Sequence, residues 1–285
     1  MPTKPKRASE YKSEQVALVR ATCLYVATKL GDLMIDVSII GGLVPSLLVQ
    51  QDSLPDGADP HAGTMDLDVG LRLALLNEKR YRHLTERLRD AGFTMDTNDD
   101  GKPTRQRWAI ADQSAGRVTI DFLIPPSRDG DRGGKLIDIE SDFAAIIAPG
   151  LRCAFRDREE VTLEGLTLFG ERATRQVWVC GAGAYVVLKA LAFDSRGENK
   201  DAYDLYYLVR NYGADVGAVA RKVKALLDDE EAENAIQVLR RDFTDPDSVG
   251  PRRVAEFIAG APDDAIQADV VGFIVDLLHR IDSPG

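Results

Sequence analysis

The sequence predicts an α+β protein, with a sheet-bearing part over residues 1–180 followed by a helical part over residues 181–285. Two observations predict this organisation. Short apolar runs of period two alternate with helical periods as far as Cys180, and beyond Cys180 nearly every segment has the helical period. A third observation points towards function: the segment HAGTMDLDVGL carries Asp66 and Asp68 in a strand, where residues two apart share a face.

From Ser13 to Leu30, Val16, Val19, Cys23, Val26 and Leu30 recur at steps of three or four, predicting an amphipathic helix with Ser13 as N-cap and Gly31 as stop. An apolar strand over Ile35–Ile40 then meets Gly41 and Gly42, and LVPSLLVQ reads as a short helix. Glycines at such a turn either let the backbone approach a phosphate beside free helix N–H groups or simply make a tight turn. Residues 50–63, rich in Asp, Pro and Gly, read as a loop. In the strand that follows, Leu67 and Val69 face the core and Asp66 and Asp68 face away from it. Thr64, just ahead, is placed to orient a phosphate or Asp66.

Two carboxylates on one strand face repel each other unless a cation or strong donors lie between them. Hard oxygen ligands of this kind suit Mg²⁺, which takes its remaining ligands from water and substrate phosphates. An isolated Asp-x-Asp also fits a solvated strand end.

A helix over Asn77–Ala91 closes at Gly92. Strands over Arg105–Ala111 and Arg117–Ile124 follow, joined by DQSAG. In the second, Val118, Ile120, Phe122 and Ile124 share one face, so Asp121 interrupts the other. A mid-strand carboxylate needs a partner to offset its desolvation. Two partners are open: metal ions shared with Asp66 and Asp68, Asp121 arriving on a later antiparallel strand as two-metal phosphoryl transfer requires, or an ion pair with Arg105, Arg107 or Arg117. Residues 125–135 read as a loop, Asp138 as an alternative ligand on a surface edge, and Val161–Phe169 and Gln176–Val179 as the last strands.

The helix over Ala182–Phe193 is apolar nearly all round yet contains Lys189. That cation must meet either a nucleotide triphosphate or a carboxylate, Asp194 or one on the next helix. In the next helix Lys200, Asp201 and Asp204 come close together, Asp201 and Asp204 three apart on one face; acids favoured by a helix N-terminus explain them equally well. Helices over Ala218–Leu227, Glu230–Arg241, Pro251–Ile258 and Asp264–Ile281 complete the chain.

A formal net charge of −10 and a pI near 4.9 count against non-specific nucleic-acid binding but allow a local basic groove. The cysteines Cys23, Cys153 and Cys180 and the histidines His61, His83 and His279 are too scattered for a thiolate or imidazole metal site. No run of about 18 apolar residues and no secretory leader is present, which predicts a cytosolic protein without a membrane partner.

Together IIGGLVPSLL, HAGTMDLDVGL, VTIDFLI, and LKALAF followed by RGENKDAYDLYYLV resemble the AbiEii/AbiGii toxin family, nucleotidyltransferases of the DNA polymerase β-like superfold close to the MenT-type toxins. The resemblance spans about residues 35–212. It implies a polymerase β-like core with a mixed sheet, a helical domain closing the nucleotide cleft, and Mg²⁺-dependent transfer of a nucleotide from an NTP. It further implies a toxin-antitoxin setting with a cognate antitoxin, and a tRNA 3′ end or other RNA as acceptor. Gly41 and Gly42 match the turn that holds the nucleotide phosphates, and Asp66, Asp68 and Asp121 the ligands of one or two Mg²⁺ ions. Lys189 resembles the helix lysine that meets the triphosphate. Arg196, Lys200, Asp201 and Asp204 resemble the terminal motif. The alternatives are a small-molecule nucleotidyltransferase of the antibiotic-modifying sort and a non-catalytic nucleotide- or partner-binding protein.

Overall fold

The computed structural model describes residues 5–51, 54, 58–72, 78–98, 100–112, 116–127, 130–140 and 142–283. Parts of the expected loops over 50–63 and 125–135, the middle of DQSAG and the helix start at Asn77 lie outside the described residues.

Helix α1 (Ser13–Leu30) has the expected bounds, although the N-cap position falls to Lys12; Gly31 ends it with φ at 54°. A 3₁₀ turn over Gly31–Asp36 takes up the start of the expected strand and leaves β1 (Val37–Ile40). After a second 3₁₀ turn, Gly41–Leu43, comes the short α2 (Val44–Leu48). Next follow β2 (Asp66–Leu71), α3 (Glu78–Asp90), β3 (Thr94–Thr97), β4 (Pro103–Asp112) and β5 (Gly116–Ile124). The hairpin β6 (Leu136–Glu140) and β7 (Phe143–Ile147), α4 (Cys153–Arg156), and the hairpin β8 (Arg158–Leu166) and β9 (Arg172–Cys180) end the sheet-bearing part. Strands β3 and β7 have no counterpart in the sequence reading, and β6 falls where that reading gave only a surface edge. The rest is helical: α5 (Ala182–Arg196), α6 (Asn199–Asn211), α7 (Val216–Lys224), α8 (Glu230–Asp242), α9 (Val249–Ile258) and α10 (Asp264–Asp282).

The nine strands among the described residues form one mixed sheet in the order β3-β4-β5-β2-β1-β9-β8, with β7 also paired to β5 and β6 to β7. One expectation is corrected here. β5 runs parallel, not antiparallel, to β2, because β5 is antiparallel to β4 and fits between β4 and β2. Its direction relative to β2 is set by the intervening helix α3 and strands β3 and β4, which period-two patterning within either strand does not report.

The face alternation follows the sequence closely. Leu67, Val69, Ile120, Phe122 and Ile124 are fully buried, and α1 packs on β9, β8, β2 and β5. A continuous hydrophobic cluster runs from α1 through the sheet into α5–α10. The change at Cys180 is therefore one of secondary structure within a shared core. No helix among the described residues is long and apolar enough to cross a membrane.

Candidate functional site

Strand register gathers the acids. Arg107 on β4 pairs with Asp121 on β5, Asp121 pairs with Asp68 on β2, and Asp68 pairs with Ile40 on β1. Side chains of directly paired residues share a sheet face, so Arg107, Asp121 and Asp68 form one row, and Asp66, two residues before Asp68, lies on the same face. Asp121 is engaged by a cation from the next strand. The Arg107 guanidinium grips it as a fork, Nε donating to Oδ1 at 2.6 Å and Nη2 to Oδ2 at 2.5 Å. Of the two partners the sequence left open, the structure shows the ion pair. That hydrogen bond raises the Arg107 pKa first, burial opposes it, and the charges of Asp121, Asp66 and Asp68 add to the rise. Among the described residues no three His, Cys, Asp or Glu side chains are grouped as a metal site. The register thus brings the three expected carboxylates, Asp66, Asp68 and Asp121, to one sheet face, with Asp121 bonded to Arg107.

The glycine turn is shaped to this pair. Gly41 has φ at 70°, and a Cβ there would lie 1.9 Å from Asp68 Oδ2; a Cβ on Gly42 would lie 2.8 Å from Thr64 Oγ1. Thus close approach to Asp68 and Thr64 already requires both glycines. Thr64 Oγ1 in turn donates to Asp66 Oδ1 at 2.9 Å, so Thr64 orients Asp66, one of the two roles its position suggested.

Opposite the acids stands a cluster of cations from α5 and α6. Lys189 Nζ lies 2.9 Å from Asp201 Oδ1 and 2.7 Å from Asp204 Oδ2, which makes the next helix the source of its carboxylate partners. Arg196 grips Asp201 through Nε at 2.5 Å and Nη2 at 2.8 Å, and Lys200 donates to Asp204. Lys200 Nζ also sits 5.5, 5.6 and 6.0 Å from the ring centres of Tyr11, Tyr203 and Phe257. Burial alone would raise the pKa of Asp204; the ammonium charges of Lys189 and Lys200 and a hydrogen bond from His61 overcome it and hold the acid well below the usual carboxylate range. Lys189 shows the converse, since burial would lower its pKa but Asp201 and Asp204 raise it. For Lys200 burial prevails over the pull of Asp204, and its pKa falls.

His61 was set aside in the sequence reading and turns out to be central to this cluster. It is fully enclosed, its Nε2 lies 2.8 Å from Asp204 Oδ1, and Nδ1 accepts from Gly63 N at 3.1 Å. Those two bonds fix a neutral ring with the proton on Nε2. Burial and the charge of Lys200 push its pKa down to about 4 against the pull of Asp204. The ring stacks on Tyr203 and meets Tyr207 edge-on, and Ala62 N donates to Tyr203 Oη at 3.0 Å. Helix α6 thus anchors the loop that delivers Thr64 and Asp66. The usable sequence signal was an aspartate-rich helix that needs buried donors, together with a lone histidine five residues before Asp66.

Between the two walls lies a cavity of about 250 Å³ lined by Gly41 and Asp68 on one side and Tyr185, Lys189 and Arg196 on the other, with Gly133, Gly134 and Ile146 at its far end. Asp201 and Asp204 are turned inward to the cations and are 1% and 0% exposed. Arg196 is different, with more than half its side chain exposed at the cavity.

The donor chemistry fits one hard cation at Asp66 and Asp68, and the cations opposite fit an anion bound in the cavity. The Tyr185 hydroxyl supports this fit. It is fully buried, on a cavity-lining residue, and without a hydrogen-bond partner among the described residues, as expected of a group whose partner arrives with a ligand. Asp121 does not fit as a ligand to a second ion while Arg107 holds it. Searches with the whole chain match no family model and no curated protein.

Proposed function

We propose that this protein is a Mg²⁺-dependent nucleotidyltransferase that moves a nucleotide from an NTP to an RNA acceptor, a tRNA 3′ end being the acceptor the family resemblance suggests. The same resemblance suggests a toxin paired with a cognate antitoxin. The observation that carries the reading is the facing of unlike charges across one cavity. Asp68 lies beside a glycine turn on the sheet wall, with Asp66 two residues before it on the same strand face, and Lys189 and Arg196 line the helical wall.

In this reading Asp66 and Asp68 hold Mg²⁺, which supplies Lewis-acid polarisation of a phosphoryl oxygen. Thr64 keeps Asp66 in position. Arg196, whose guanidinium reaches solvent at the cavity, and Lys189 behind it offset the negative charge of the phosphates and of the pyrophosphate leaving group. Tyr185 offers a donor from the cavity floor. The polymerase β-like core and the description of α5–α10 as a domain that closes over the nucleotide belong to the same proposal.

Purified protein incubated with each labelled NTP, Mg²⁺ and either total RNA or an aminoglycoside panel tests the reading. Label entering RNA, and lost in Asp66→Ala, is the expected result. Label entering the aminoglycosides would replace the RNA acceptor by a small molecule, a reading the net charge of −10 favours. Nucleotide binding that ignores Mg²⁺, without transfer to either pool, would reject the enzyme.

A further inference from the structure

The row Arg107–Asp121–Asp68 carries a consequence for the metal count. We infer that Arg107 stands in the place of a second divalent cation, so that the site takes one ion, on Asp66 and Asp68, while Asp121 stays neutralised by the guanidinium. This rests on the nucleotidyltransferase reading and sharpens it.

Three observations point the same way. The pairing is built into the sheet, because Arg107 and Asp121 are direct cross-strand partners in the register of β4 and β5, with no loop needed to bring them together. The fork uses both carboxylate oxygens, at 2.6 and 2.5 Å, which is the bidentate geometry in which a guanidinium best satisfies a carboxylate. Finally, the acid is sheltered, Asp121 being 6% exposed, so water competes weakly for its carboxylate. A divalent ion approaching Asp121 would have to displace both bonds and then sit against a fixed positive charge. Arg107, a permanent cation, already supplies what such an ion would supply to Asp121: neutralisation of one acid in a row of acids.

Crystals of the wild-type protein and of Arg107→Gln, grown with Mn²⁺ and a non-hydrolysable NTP analogue, give a direct count by anomalous scattering. The expected result is one Mn²⁺ in the wild type, bonded to Asp66 and Asp68, with Asp121 still on Arg107. Arg107→Gln should bind two, the second bonded to Asp121 and lost again in Arg107→Gln/Asp121→Asn. Arg107→Lys, which keeps a cation and guards against a variant that fails to fold, should bind one. A second Mn²⁺ on Asp121 of the wild type, or a single ion in well-folded Arg107→Gln, would overturn the role of Arg107 while leaving the transferase reading intact. No Mn²⁺ at Asp66 and Asp68 in any of the proteins would overturn both.

Discussion

Asp68 on β2 and Asp204 on α6 are both carboxylates near cations, yet their surroundings have little in common. Asp204 is wholly enclosed and surrounded by Lys189, Lys200 and His61, each within ion-pair distance. Asp68 sits half-buried on a cavity wall, next to Asp121 in the row and pressed against the Gly41 backbone. On the helical wall Lys189, Lys200 and Arg196 are bonded to Asp201 and Asp204, whereas on the sheet wall Arg107 is bonded to Asp121 and Asp68 lines the cavity. The helical wall is self-neutralising and tightly bonded, so it should govern stability. The sheet wall sets the half-buried Asp68 against the cavity, so it should govern activity.

The largest effect expected from that contrast is on folding. Lys189→Met removes one partner of a buried charge cluster and leaves Asp201 and Asp204 short of compensation, which should cost about 3–5 kcal/mol in urea unfolding. A loss below 1 kcal/mol would erase the distinction between the walls. Next comes Gly41→Ala, which combines a strained positive φ with a collision at Asp68; it should destabilise by more than about 1 kcal/mol and abolish transfer. Asp66→Asn and Asp68→Asn should behave in the opposite sense. Transfer should vanish while thermal unfolding stays nearly level, because both acids are half-buried rather than enclosed. A large drop in unfolding temperature would show that these acids are structural.

His61 sharpens the comparison through pH. Its folded pKa, about 4, lies below the ordinary 6.5, so between these values the unfolded chain binds a proton that the folded chain refuses. The stability it contributes is fully present above pH 6.5 and is lost as pH falls towards 4. Asp204, also depressed, withdraws its own contribution only below the ordinary carboxylate range. Urea unfolding between pH 7 and 4 should therefore show a slope that flattens in His61→Asn; an unchanged slope would remove His61 from the account. The smallest effect belongs to the outer surface. Arg252→Ala breaks an exposed pair with Asp247 and should shift stability by no more than about 0.5 kcal/mol, a baseline for the larger changes.

Much of the sheet wall was readable in the sequence because its logic is local. The alternation in DLDV and VTIDFLI places Leu67, Val69, Ile120 and Phe122 inside and the acids outside, whichever strands they pair with. The direction of β5 relative to β2 was not readable, since it depends on how the intervening segments cross the sheet. FAAII gave no alternating signal and so β7 went unseen, although its burial is nearly complete. Three arginines were plausible partners for Asp121, and only the β4–β5 register selects Arg107. On the helical wall Lys189 announced itself by being charged in an apolar helix. His61 did not, because its partner Asp204 lies 143 residues away in the chain.

The Tyr11 ring against Lys200 has a practical corollary. Tyr11 precedes α1, and with Phe257 from α9 it closes one side of the chamber around the Lys200 ammonium. The opening turns of the polypeptide are therefore masonry of the charge cluster. Trimming the chain back to Lys12 would open the partly covered Lys200 further to water, relieve its desolvation and return its proton affinity towards that of an ordinary lysine.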